Sequence, residues 1–477
     1  MSEPGRELRV AVVGSGPSGS YAAERLLSRR DISVHVDMFE RLTTPWGLVR
    51  FGVAPDHLAT KSVIIGFERM TRDPRFRLWL NVEVGRDITT EQLSEHYHSV
   101  IYAVGAMGAR DMGVPGEDLP GSHSATEFVG WYNGHPEYAD RAFDFSAERA
   151  VVIGNGNVAI DIARILLTTP ARLVRTDIAQ HALEQLSTSR IREVVVVGRR
   201  GPAEAAFTNG ELLGLLNVPK LRVAVDPQGF DSPHSARPLL DFAAAHKTAR
   251  LSQLAGYERQ TSSSDRRVVL RFCAAPERLL GQDRVSGIRL TRNALVADGS
   301  AVRAVPTSEF DELDCGLVIR SVGFQGSPIG SVPFDFSRHV IPNRDGRAID
   351  TESGETVPGT YVTGWIKRGP SGVIGTNKQC AKQTVECLIE DFLVGALAEP
   401  TADLEYPTSQ LPAAFDVRAW RAIDAHERRE GIRSGRPRIK LVEPAALLAV
   451  ASTAVTEPAV DEALGAMNGL PPRRWPS

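Results

Sequence analysis

With 477 residues, 42% of them hydrophobic and 24% charged, the chain carries enough apolar material for two or three folded domains and is neither disordered nor fibrous in composition. A formal charge of −3 argues against a nucleic-acid partner, whose binders are usually strongly basic, and no apolar run approaches the ~20 residues a bilayer span needs, so no membrane insertion is expected. The four cysteines, Cys273, Cys315, Cys380 and Cys387, include no C-x-x-C pair, which argues against a disulfide framework, a structural metal site and an iron-sulfur cluster.

The first seven residues show no basic and apolar signal pattern, so a cytoplasmic protein is expected, working as a monomer. Leu8 to Val13 then reads as a buried strand that runs into Gly14-Ser15-Gly16-Pro17-Ser18-Gly19 and a helix from Tyr21 to Leu27. A glycine turn between a strand and a helix gathers backbone N–H groups and the positive end of the helix dipole at one point, which suits a pyrophosphate. The next strand, Ser33 to Phe39, ends at Glu40, 21 residues past Gly19, where a carboxylate can hold ribose hydroxyls.

The loop from Leu42 to His57 is dense in Gly, Pro and aromatic residues and presents Trp46 and His57 without a periodic face, so it is expected to line a site. Helical spacing follows from His57 to Met70, a strand from Arg77 to Val84, and a buried strand from Ser99 to Ala106 closes the first unit.

The pattern then restarts. Arg149 to Ile153 leads into Gly154-Asn155-Gly156-Asn157-Val158-Ala159 and a helix through Leu167, a second dinucleotide fingerprint. Its following strand, Glu193 to Gly198, ends on Arg199-Arg200 in place of an acid, and guanidinium forks suit a 2'-phosphate, so NADP is expected over NAD.

From Leu221 to Leu290 short strands flank a helix-like run from Pro238 to Leu254. Here Arg237, Lys247, Arg250, Arg259, Arg266, Arg267 and Arg271 outnumber Asp231, Asp241, Glu258 and Asp265; the bias reads as a solvated face or as part of a docking patch for an acidic protein. Cys315 to Gly323 is another buried strand, after which the chain is expected to return to the first unit. Gly359 to Thr363, the glycine loop Gly364 to Thr376 and a helix from Asn377 to about Phe392 complete that unit; a helix start aimed inward can stabilise an anionic reduced flavin. Cys380 and Cys387 on that helix read as packing, and a last helix-like run spans Val417 to Asp424.

Several stretches go beyond the generic fingerprints: Thr44 through His57, Ala125 through Pro136, Gly364 through Thr376, and Gly198-Arg199-Arg200-Gly201-Pro202 followed by Ala206-Phe207-Thr208 and Glu211. On these the chain, from about Arg9 to Val442, resembles the adrenodoxin-reductase-like ferredoxin NADP reductases. The resemblance implies an α/β fold of two Rossmann-like nucleotide-binding domains with mostly parallel sheets, an NADP-binding domain (109–324) being inserted into a discontinuous FAD-binding domain (1–108 and 325–477). It implies FAD and NADP(H) as cofactors, an iron-sulfur ferredoxin as electron partner, and hydride transfer between NADPH and FAD with single electrons passed to the ferredoxin.

By the same resemblance Gly14, Ser15, Gly16, Pro17, Gly19 and Glu40 hold the adenosine half of FAD, and Leu48, Trp365, Gly372, Val373 and Ile374 approach its ring and ribityl chain. Gly154, Asn155, Gly156, Asn157 and Val158 take the NADP pyrophosphate; Arg199 and Arg200 take its adenosine phosphate end, with Glu211 orienting the arginines. His57 is the candidate catalytic residue. The family commonly places a second Glu three residues after Glu211 to pair with that histidine, whereas this chain has Gly214 there, so the resemblance leaves His57 without that partner. Other readings are an NADPH-dependent disulfide reductase, which lacks its cysteine pair here, a non-catalytic FAD/NADP-binding redox sensor, and the small subunit of glutamate synthase, whose clusters need cysteines ahead of the first fingerprint.

Overall fold

The N-terminal apolar run is β1 (Glu7–Val13), a strand buried along most of its length because neighbours pair with it on both edges and helices cover its faces. The protein is described by a computed structural model over residues 7–226, 242–255, 266–298, 301–372, 374–403, 411 and 413–456. α1 (Pro17–Leu27) begins with Pro at its first turn, where the missing N–H costs nothing, and leads to β2 (Ser33–Glu40). With β3 (Phe76–Leu80) and β4 (Ser99–Tyr102) these strands pair in parallel in the order β4-β1-β2-β3.

The chain then builds a second sheet. It comprises β5 (Ser122–Ser124), β6 (Arg149–Ile153), β7 (Glu193–Val197), β8 (Leu221–Val225) and β9 (Arg266–Arg271). α2 (Ala125–Asn133) opens on a capping box in which Ser124 and Glu127 satisfy each other's backbone N–H groups. α3 (Asn157–Leu167) and α4 (Asn209–Leu216) pack with α2 over the apolar core that includes Phe128, Trp131, Val152, Ile160 and Leu212.

Three antiparallel strands follow, β10 (Ala274–Leu280), β11 (Gly287–Asp298) and β12 (Ala301–Asp314), in that order. β13 (Leu317–Arg320) rejoins the second sheet between β5 and β6, giving β5-β13-β6-β7-β9-β8. The chain finally returns to the first sheet with β14 (Asn343–Arg344), β15 (Arg347–Ile349) and β16 (Thr356–Val362), and β16 lies parallel to β4. α5 (Ile374–Leu393) packs along α1, and α6 (Val417–Arg433) and α7 (Pro444–Thr456) pack against each other. Two parallel nucleotide-type sheets, one interrupted by the other, are therefore the expected fold class.

Several sequence expectations shift. The two inward helices start earlier than their apolar spacing suggested, at Pro17 and Ile374, because a first turn needs no apolar face. The single helix expected over 57–70 is two, Leu58–Lys61 and Ile64–Met70. Trp46 is core rather than lining: it is fully buried, 5.6 Å from Phe67 and 6.4 Å from Trp420 between ring centroids. Of the long β11–β12 hairpin the sequence offered only a short strand from Val285 to Leu290, since β12 is solvent-facing and polar along much of its length. No helix among the described residues is long and apolar enough to cross a membrane.

Candidate functional site

The first glycine turn is shaped by contacts that no other residue allows. Gly14 has φ +100°, donates its N–H to the Phe39 carbonyl at 2.8 Å, and a Cβ on it would stand 2.8 Å from the Ala103 carbonyl oxygen. A Cβ on Gly19 would fall 2.0 Å from the Gly14 carbonyl oxygen, so helix α1 sits directly against the turn. From the other side Gly47, at φ +46°, approaches so closely that its Cβ would lie 2.9 Å from the Gly16 Cα.

Glu40 is tied to this turn. Its Oε2 accepts from the Ser15 hydroxyl at 2.6 Å and the Ser15 N–H at 3.2 Å, and its Oε1 accepts from the Leu42 N–H at 3.0 Å. The carboxylate is thus fixed in direction, with lone-pair capacity left over. A cavity of about 520 Å³ runs past Gly14, Gly16 and Pro17 to Glu40 and Arg41, and is also lined by Leu48, His135, Trp365 and Asn377.

The Trp365 Nε1 is buried with no hydrogen-bond partner among the described residues, an indole donor that a ligand in the cavity could satisfy. Gly364 before it has φ +79° and is pressed against Ser18, whose Oγ would be 2.2 Å from an added Cβ. Gly372 and Ile374 stand at the entry to α5, and Asn377, one turn on, is its residue in the lining. Val373 lies outside the described residues. A Gly cradle, a helix start, an oriented carboxylate and a buried unpaired donor fit an FAD-like dinucleotide.

The second turn repeats the first. Gly154 has φ +112° and donates to the Val197 carbonyl at 2.8 Å, and a Cβ on it would stand 2.1 Å from the Ser321 carbonyl oxygen. Gly156 caps α3, and Val158 packs on the core. Asn155 faces Gly198, where an added Cβ would lie 2.3 Å from its Nδ2, while the Asn157 Oδ1 accepts from the Thr208 N–H at 2.8 Å.

At the end of β7 Arg199 is exposed and Arg200 half-buried. Neither guanidinium has an ion-pair partner among the described residues, yet both backbones are fixed, Arg199 O by the Asn293 amide at 2.9 Å and Arg200 O by the Cys273 N–H at 3.0 Å. Two held but unneutralised guanidiniums fit a phosphate monoester.

Glu211 is placed differently from its expected role. Its carboxylate has no contact with Arg199 or Arg200; it accepts from Arg164 at 3.3 Å and lies 3.7 Å from the His57 Nε2. The carboxylate that Gly214 replaces stays absent, and the acidic groups facing the His57 Nε2 are Glu211 itself and, at 4.0 Å, Asp161 on α3. Arg164, with a side chain only 3% exposed, is the centre of this cluster. It binds Asp56 with two hydrogen bonds of 2.7 and 3.0 Å, Asp161 at 2.6 Å and the His57 Nε2 at 2.9 Å.

Burial, then the Arg164 charge, pushes His57 below its usual range, so its imidazole is neutral at pH 7. Burial pushes Asp161 up to about 8 despite Arg164. Burial acts the same way on Asp56, but there the Arg164 guanidinium prevails and holds the carboxyl down. His57, Asp161 and Glu211 bring ligand-type atoms within 4.8 Å of one another, but the positive charge a metal ion would supply is already delivered by Arg164.

Asp56, Asp161 and Arg164 escaped the sequence reading. Their signal is two charged residues three apart, Asp161 and Arg164, inside the otherwise apolar helix stretch Ile160 to Leu167.

Four of the seven basic residues of the proposed docking patch are engaged within the fold, while Arg250 is exposed. Lys247 is buried, donating to the Ala205 and Phe207 carbonyls, Arg267 pairs with Glu193, Arg271 with Asp226 and Asp311, and Arg266 donates to the Leu167 carbonyl. Arg237, Arg259 and all four of the acids weighed against the patch lie outside the described residues. All four cysteines are free; burial pushes Cys273 up to about 11 and Cys315 up to about 12, and it acts the same way on Cys380, but there hydrogen bonds from Thr363 and the Gly364 N–H prevail and hold the thiol below its usual range.

Comparison with known proteins agrees with this geometry. Residues 8–196 match the family described as Pyridine nucleotide-disulphide oxidoreductase. The chain is 47% identical over 464 residues to the NADPH-ferredoxin reductase FprA of Mycobacterium tuberculosis, covering 93% of this chain and 99% of that protein. This chain belongs to the adrenodoxin-reductase-like ferredoxin NADP reductases. It is 41% identical to the mitochondrial NADPH:adrenodoxin oxidoreductase of Bos taurus, covering 92% of this chain and 91% of the relative. The solved structure of Mycobacterium tuberculosis FprA in complex with NADPH superposes with a TM-score of 0.87 at 45% identity, over 94% of this chain and 100% of that one. In this reductase the Arg164 cluster draws Asp56 and His57 from the stretch between the two glycine turns and Asp161, Arg164 and Glu211 from beyond the second.

Proposed function

We propose that the protein is an FAD-dependent reductase that oxidises NADPH and passes the electrons singly to an iron-sulfur ferredoxin. The observation that carries the reading is the pair of turns with opposite strand ends, Glu40 bound to the first turn and the unneutralised Arg199-Arg200 beyond the second. FAD, when bound, supplies the chemistry, since it takes two electrons as a hydride and releases them one at a time.

The side chains of this chain bind, orient and exclude water. Gly14, Gly16, Pro17 and Gly19 admit the FAD pyrophosphate to the start of α1, Glu40 receives the ribose hydroxyls, and Leu48, Trp365, Gly372 and Ile374 shape the ring end. Gly154, Asn155, Gly156, Asn157 and Val158 receive the NADP pyrophosphate. Arg199 and Arg200 use binding energy at the remote phosphate to hold the nicotinamide in place. Burial and then the Arg164 charge hold His57 below its usual range, so it orients and does not store a proton at pH 7. Residues 1–108 and 325–477 form the FAD domain and 109–324 the NADP domain in this reading. The four free cysteines fit a reducing compartment, so a cytoplasmic location is proposed.

Anaerobic titration tests this. The purified protein should be yellow, bleach on addition of NADPH, and recover its colour when an iron-sulfur ferredoxin is added. A flavin that NADPH does not bleach refutes the reading; bleaching without transfer to any ferredoxin favours a redox sensor.

A further inference from the structure

Two lysines are buried where three stretches of chain meet. Lys61 ends the short helix that follows His57, and Lys440 comes from the segment after α6. Their ammonium groups share one carboxylate: Lys61 Nζ lies 2.7 and 2.9 Å from the Asp177 oxygens, and Lys440 Nζ 3.2 Å from Oδ2. Burial pushes both amino groups below the usual lysine range, Lys440 well below it, and the one carboxylate they share leaves the rest of their polar demand to be met by dipoles. Lys440 donates to the backbone carbonyls of Asn133 at 3.0 Å and Arg50 at 3.4 Å, Lys61 donates to the Asn133 Oδ1 at 3.1 Å, and the Asn133 amide donates to the Phe51 carbonyl at 3.1 Å.

Such a cluster adds little net stability, because desolvating the ions offsets their attraction. What it provides is fixed geometry, since Lys440 is satisfied only when all three stretches keep their places and Lys61 only when its loop stays against Asn133 and Asp177. The stretches come from different units. Residues 50–61 continue the loop that carries Leu48 and His57, Asn133 and Asp177 belong to the inserted unit, and Lys440 belongs to the C-terminal segment. That segment is anchored on both sides of the junction. Arg436 donates to the Gln180 Oε1 at 2.6 Å on the inserted unit, while Arg438 reaches Glu427 at 3.0 Å, and Glu427 also binds Arg50 at 3.0 Å.

We propose that Lys440 is a positioning residue for hydride transfer, strapping the C-terminal segment across the junction so that the loop bearing Leu48 and His57 stays registered against the second nucleotide unit. The proposal rests on the NADPH-to-FAD reading above. It is tested on the full-length FAD-bound protein carrying Lys440→Met, which keeps the apolar stem and removes the ammonium. Flavin reduction at saturating NADPH, followed by stopped flow, should slow about tenfold while the Kd for NADP+ changes less than about twofold, because small misplacements of reacting groups act on rate more than on binding. Hydrogen exchange should quicken at residues 48–57 with both parallel sheets still protected.

A lowered Tm with unchanged reduction rate and unchanged exchange at 48–57 would overturn the proposal and leave Lys440 a packing residue. If Lys440→Met does not fold, Arg436→Gln on the same segment should show the same pattern in weaker form, and a normal rate and normal exchange there overturn it equally. Failure of NADPH to reduce the wild-type flavin would instead remove the functional reading, while the exchange comparison still decides whether the strap exists.

Discussion

Replacing both Arg199 and Arg200 with Ala tests how the second site chooses its cofactor. Neither guanidinium neutralises an acid within the described structure, so the double substitution orphans no internal partner, and the backbone of the turn is held independently by Asn293 and the Cys273 N–H. The loss should therefore fall on the ligand. A charge-assisted hydrogen bond is worth ~1.5–3 kcal/mol when sheltered, and the exposure of Arg199 puts this pair at the lower end, about 2–4 kcal/mol together. That corresponds to roughly a 30- to 1000-fold fall in kcat/KM for NADPH, with NADH changed less than about threefold. The assay is steady-state reduction of a small acceptor with each nucleotide. Equal losses for the two would refute the assignment, because the arginines would then be supporting the turn rather than reading the phosphate.

Asp161, raised to about 8, keeps a proton in the folded protein that the unfolded chain releases near pH 4. Its stabilisation is thus complete at acid pH and is lost as pH climbs toward 8, by up to about 4 kcal/mol between pH 5 and 8. Asp161→Asn should flatten that part of the Tm profile, and an unchanged slope would show that another group controls it. Gly364→Ala must take φ +79° and push on Ser18, so the flavin-to-protein absorbance ratio after purification should drop, with normal FAD content counting against the close approach. Trp46→Ala should cost about 3–5 kcal/mol in urea unfolding, the range for a fully buried large aromatic, and a loss under about 1 kcal/mol would return Trp46 to the lining. Gly214→Ala, inside α4 with nothing within 4 Å of its Cβ, should stabilise by up to about 1 kcal/mol; destabilisation would mean that the helix needs glycine there.

What the residues revealed and what they hid follow a physical division. The two turns were legible because buried parallel strands read as unbroken apolar runs and their glycines satisfy constraints local to the turn. The Arg199-Arg200 pair was legible from its position at a strand end. Glu211 was misassigned because four residues of sequence cannot tell which face of α4 looks toward α3, and Asp161 and Arg164 were hidden because the pairing that matters to them crosses from 161–164 to 56–57. Trp46 was misread since a loop rich in Gly and Pro hides how far its aromatics reach into the core. β12 went unnoticed because an edge strand facing water keeps no apolar alternation.

The pairing of β16 with β4, Thr360 opposite Val100, dictates an order of events during synthesis. The first four strands leave the ribosome with one edge of their sheet unpaired, and roughly 260 residues must follow before the strand that covers it arrives, a delay on the order of tens of seconds at ~5–20 residues per second. All strands of the second sheet, through β13, are synthesised within that interval. A stalled chain ending before Thr356 would therefore expose a bare parallel edge of the first sheet to aggregation or to a chaperone.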